Sequence, residues 1–104
     1  MTAPLPCRPN CAMACPVDDW SPILLDDAST VLPRFRLSAV ITAGRVPPDR
    51  WHEALGLTVA YYGVGEVIDA LRHMTTVPIG FGWTLEQRKR CEALLVKYRG
   101  RRAA

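Results

Sequence analysis

Hydrophobic positions in the second half of the chain recur with helical spacing. Trp51, Leu55, Val59 and Tyr62 fall at i, i+4, i+8 and i+11, which predicts one buried helical face. Pro47-Pro48-Asp49 supplies its start: proline is tolerated where the N–H has no helical partner, and aspartate favours the positive end of the helix dipole. Gly63 is its expected stop. A second helix is predicted from Val64 or Gly65, with Glu66 in its first turn and Val67, Ile68, Leu71 and Met74 on its core side. So short a glycine-containing link predicts a helical hairpin or corner.

The last segment is the most fully specified. Thr84 and Gln87 have the spacing of a capping box, Gly100 is the expected C-terminal stop, and Cys91, Leu94, Leu95 and Tyr98 share one face. Between these helices, residues 75–82 are apolar for a connection and are expected to lie against the core.

The first half reads less clearly. In residues 34–46, Phe35, Leu37, Ala39, Ile41 and Ala43 alternate with Arg34, Arg36, Ser38, Val40 and Thr42, which is a strand pattern. Pro33 can also open a helix on which Leu37, Val40 and Ile41 align, ending at Gly44, and that reading is preferred. Ser21-Pro22 is expected to begin a short helix or turn carrying Ile23, Leu24 and Leu25. Residues 1–19 hold Pro4, Pro6, Pro9 and Pro16 and show no hydrophobic period, so they read as a Cys/Pro-rich arm. The expected fold class is mostly α: a small domain of about four helices over 20–104 behind a flexible N-terminal arm, 1–19. The alternative is α+β, with a short strand at 34–43 paired with the 75–82 segment.

Composition narrows the class without naming an activity. A chain of 104 residues with 49% hydrophobic content is one domain able to build a core without obligatory disulfides or metal. No run approaches the length of a membrane span, and prolines and Arg8 break any secretory h-region before Cys15, so a cytoplasmic protein with no membrane partner is expected. Ala, Gly, Pro and Arg supply 39 residues, and their GC-rich codons point to a bacterium of high GC content or to a phage or other mobile element. Net charge is only +3 but unevenly placed. Asp18, Asp19, Asp26 and Asp27 lie in a stretch without a base, whereas Arg88, Lys89, Arg90, Lys97, Arg99, Arg101 and Arg102 face only Glu86 and Glu92. Such asymmetry points to an acidic or polyanionic partner; a solvated helix face is the plain alternative.

Candidate chemistry is sparse. Cys7, Cys11 and Cys15 have the gaps of a zinc knuckle, and His52, His73 or Cys91 could complete it, but no second ligand pair follows. Ordinary reduced thiols are the simpler expectation, zinc the alternative. Cys91 reads as a small buried hydrophobe, and both histidines read as structural. Gly63-Val64-Gly65 lacks the third glycine of a dinucleotide loop, since position 68 is Ile68, and Gly80-Phe81-Gly82 is likewise a turn. A helix-turn-helix over 50–74 would present Glu66 and Asp69 with only Arg72 as a base, which is a poor DNA reader. Basic–aromatic neighbours occur, but Trp51 and Tyr98 belong to core faces. The expectation is therefore a non-catalytic accessory or regulatory protein, without a cofactor, that binds a larger protein partner through Arg88, Lys89, Arg90, Lys97, Arg99, Arg101 and Arg102. Non-specific nucleic-acid contact is the alternative. A homo-oligomer through an exposed Trp20 or Trp83 is a further one.

Overall fold

The computed structural model describes residues 20–103, and these form a helical domain. Its elements are α1 (Ser21–Leu24), α2 (Pro33–Thr42), α3 (Trp51–Tyr62), α4 (Val64–Met74) and α5 (Leu85–Ala103), with a single 3-10 turn, Pro48–Arg50, before α3. The strand alternative at 34–43 is not realised, because this segment is α2. Its alternation is incidental: Leu37, Val40 and Ile41 are buried, while Phe35 and Ala39 remain exposed. The arm 1–19, with Cys7, Cys11 and Cys15, lies outside the described residues.

Local chemistry explains the boundaries. Pro33 opens α2, where the backbone N–H of Arg34 donates to Glu66 Oε1 at 3.1 Å, so a carboxylate on α4 caps α2 from across the interface. Gly44, at φ 78°, closes α2: its N–H donates to the Ile41 carbonyl while that of Arg45 donates to the Val40 carbonyl, the paired bonds of a Schellman stop. Gly63 at φ 96° turns the chain between α3 and α4 within one residue. The capping box forms as expected, with Gln87 N–H donating to Thr84 Oγ1 at 3.1 Å and Thr84 N–H to Gln87 Oε1 at 2.9 Å. Gly100 does not stop α5, which continues to Ala103.

Helix α4 is the hub, packing on α2, α3 and α5. It runs alongside α2 in the same direction, since Arg34 meets Glu66 and Asp69 and, one turn on, Ser38 meets His73. Val67, Ile68, Leu71 and Met74 are buried there as the spacing predicts. On α3 the buried set is Trp51, Ala54, Leu55 and Thr58; Val59 and Tyr62 are only half-buried, because the face turns slightly along the helix. Trp20 and Trp83 are each 2% exposed, so neither offers the surface that would join two copies through them.

The 75–82 connection departs from expectation. Val77 is partly buried, but Pro78, Ile79, Gly80, Phe81 and Gly82 are exposed. Its fixed point is the next residue, Trp83, whose indole lies in the core and stacks on Trp51. One aromatic anchor thus takes the place of several apolar contacts, and the turn before it points outward.

Candidate interaction face on the last helix

Helix α5 holds all seven predicted contact residues, and packing divides them. Cys91 and Tyr98 are buried and Leu94 and Leu95 partly so, which fixes the inner face. Arg88 and Arg90 stand at its two edges and are committed to the fold. The guanidinium of Arg88 donates to the Val77 carbonyl at 2.7 Å. That of Arg90 donates to the Pro48 carbonyl at 3.0 Å and lies over the Trp51 ring, 5.6 Å from its centroid. Lys89, Lys97 and Arg99 are exposed, and no carboxylate pairs with them among the described residues. Arg101 and Arg102 belong to the final turn of α5; their side chains lie outside the described set.

The outer face also carries residues that charge alone does not reveal. Leu85, Lys89, Glu92, Val96 and Arg99 follow one another at steps of four and three, and all are exposed. Val96 is 72% exposed and Leu85 53%. The pattern is legible in the sequence as the complement of the buried set, but it is hidden when only bases are counted. It makes this face a mixed one, apolar residues between cations with a carboxylate at its centre.

Elsewhere the cations are absorbed locally. Arg34 faces Glu66 at 3.8 Å and Asp69 at 3.5 Å, and Arg72 faces Asp69 at 4.0 Å. Arg50 pairs with Glu53, and this hydrogen bond holds the Glu53 carboxyl below its ordinary range. Arg36 is buried, donating to the Val31 carbonyl at 2.7 Å and the Tyr62 hydroxyl at 3.2 Å. Glu66 and Asp69, acids that spoil α4 as a DNA reader, thus serve as a cap and a counter-charge for α2.

The nucleophile candidates fare poorly. Burial pushes the Cys91 thiol up to about 12, with the neighbouring Glu92 charge adding to the effect, so it stays protonated at neutral pH. His52 is exposed beside Glu53, and neither histidine hydrogen-bonds to Cys91. His73 Nδ1 instead lies 2.8 Å from Ser38 Oγ. A serine–histidine contact invites a catalytic reading, but Ser38 is 1% exposed, beyond a substrate's reach, and no carboxylate orients the ring among the described residues. The pair satisfies a buried hydroxyl. Among the described residues, no group of three His, Cys, Asp or Glu side chains could hold a metal ion. No helix there is long and apolar enough to cross a membrane. No protein family, curated protein or solved structure matches the chain.

Proposed function

We propose that this chain is a cytoplasmic, non-catalytic accessory or regulatory protein that docks on a larger protein partner through the outer face of α5. The observation that carries this reading is the interleaving of Leu85 and Val96 with Lys89 and Arg99 on one exposed face. An acidic protein surface with apolar patches complements such a face: the cations steer approach, and the apolar side chains lose water on contact. A phosphate backbone gains nothing from Leu85 or Val96 and is repelled by Glu92. Nucleic-acid binding is therefore the second reading, resting on Lys89, Lys97 and Arg99 as phosphate contacts without an exposed aromatic platform on α5. A zinc site at Cys7, Cys11 and Cys15 is a third, outside the described residues.

Capture from the native host, with nuclease added, tests the reading. Wild-type bait should retain one partner that Val96→Asp bait and the Lys89→Glu/Arg99→Glu pair both lose. Retention by both variants sinks the proposed face. Binding to DNA or RNA at physiological salt that Val96→Asp leaves intact, and that falls steeply with added salt, favours the nucleic-acid reading instead.

A further inference from the structure

Between α1, the loop after it and α2 lies an open apolar groove of about 440 Å³, walled by Ile23, Val31, Phe35, Ala39, Val40 and Ala43. Ala39 and Ala43 stand one turn apart on α2 and are exposed, as are Val31 and Phe35 at the edges. Charge gives the groove no direction. Arg36 and Arg45 line it with Asp26, whose carboxylate accepts the Ala28 N–H at 3.0 Å, so it selects by apolar contact.

One polar group there is left over. Arg36 is 7% exposed and donates to the Val31 carbonyl and the Tyr62 hydroxyl, yet its buried Nε–H has no acceptor among the described residues. A buried donor without an acceptor is costly, and a backbone carbonyl laid along the groove can supply one. The occupant that fits is thus an extended, uncharged, apolar segment with carbonyls to spare.

The chain holds such a segment next to the groove. Helix α1, which contributes Ile23, follows directly on Trp20, and the residues before Trp20 lie outside the described set. In sequence, residues 9–17 carry no charge and hold Ala12, Met13, Ala14 and Val17 between Pro9 and Pro16. Proline favours an extended backbone whose carbonyls make no internal hydrogen bonds, and a methionine adapts to an irregular apolar surface. Met13 is seven residues from Trp20, a reach of up to about 25 Å, against roughly 15 Å for the whole of α2. A segment so tethered meets the groove at an effective concentration on the order of millimolar, which about a thousandfold outweighs a separate copy at micromolar concentration.

We propose that residues 9–17, centred on Met13, fold back into the α1–α2 groove of their own chain. This is independent of the partner-binding face on α5. Any partner that uses the groove must first displace this segment.

Methyl NMR of the full chain tests it. Nuclear Overhauser contacts should join the Met13 methyl to those of Ala39 and Ala43, and should be absent from the isotope-filtered spectrum of a mixture of labelled and unlabelled copies. Met13→Asp, which alters no described residue, should shift the Ala39 and Ala43 methyl signals and leave those of α4 unmoved. Ala39→Lys, a helix-forming residue at an exposed position, should abolish the contact between Met13 and Ala43. No contact from residues 9–17 to the groove, a contact only between different copies, groove signals indifferent to Met13→Asp, or a Met13–Ala43 contact that survives Ala39→Lys would each overturn the proposal.

Discussion

The rings of Trp51 and Trp83 stack with centroids 5.9 Å apart and planes inclined by 25°, joining the first turn of α3 to the residue that precedes the α5 cap. Arg90 reaches the Trp51 ring as well, and the Trp51 indole N–H donates to the Val46 carbonyl at 3.2 Å. One side chain therefore ties together the loop after α2, α3, the 75–84 connection and α5. Because the exposed turn around Phe81 rests on this stack, removing Trp83 should do two things. Trp83→Ala should cost about 3–5 kcal/mol, the usual penalty for emptying a buried aromatic site. It should also raise amide exchange at Gly80, whose N–H the carbonyl of residue 83 holds, well above the rest of the molecule. Urea denaturation and hydrogen exchange read the two effects separately.

Much of this arrangement is legible in the residues, and the misses have physical causes. The Thr84–Gln87 box, the Gly63 corner and the α4 core stripe depend on bonds within one turn, so local sequence specifies them. The ambiguity at 34–43 dissolves only in three dimensions: α2 is settled by Glu66 capping it from α4 and by Leu37 and Ile41 meeting the core, neither visible at short range. The connection at 75–82 misleads for a related reason. Its apolar content suggests burial, yet Val77 reaches the core only in part, Trp83 is the residue that fills it, and the φ values of Phe81 and Gly82 turn the tip out. On α5, counting bases finds the charged face but cannot separate Arg88 and Arg90, held by distant carbonyls, from Lys89 and Arg99.

Among the described residues Arg36 is a buried cation that no carboxylate pairs with, and Tyr62 mediates its compensation. The Tyr62 hydroxyl receives a guanidinium N–H from Arg36 and donates to Asp27 Oδ1 at 3.1 Å, while Arg36 also stacks over the ring. Burial, and then the bond to Asp27, raises the phenol above its ordinary 10. Tyr62→Phe keeps the ring contact but leaves the Arg36 donor and Asp27 unbridged. It should cost about 1–3 kcal/mol, the penalty for stranding a buried polar partner. Spectrophotometric titration of the wild type should show a tyrosine step above the ordinary range, and the step from Tyr62 should vanish in the variant.

Cys91 makes stability depend on pH at the alkaline end. Its thiol is raised from an unfolded value of 9.0 to about 12 in the fold. Between these values the unfolded chain has lost its proton and the folded chain has kept it, so fewer protons are bound on unfolding and stability falls as pH rises. The loss should begin near pH 9 and reach at most about 1.4 kcal/mol per further pH unit. Cys91→Ala should lower stability at neutral pH through the small cavity it leaves, yet flatten the decline from pH 9 to 11. In the folded protein at pH 8, thiol reagents should label Cys91 only as fast as the chain opens.

The two classes of cation on α5 should separate by stability alone. Arg90 contributes a hydrogen bond to the Pro48 carbonyl and a cation over the Trp51 ring, so Arg90→Gln should cost about 1–2 kcal/mol, combining a lost charge-assisted bond with a lost cation–π contact. Lys97→Gln and Arg99→Gln touch exposed side chains that no carboxylate pairs with among the described residues, and should change stability by less than about 0.5 kcal/mol. If they alter it as much as Arg90→Gln does, the outer face of α5 is occupied within the molecule, and its availability to a partner falls with that result. If they do not, the same two variants become clean probes of binding, because any loss of partner affinity they cause comes from the contact and not from the fold.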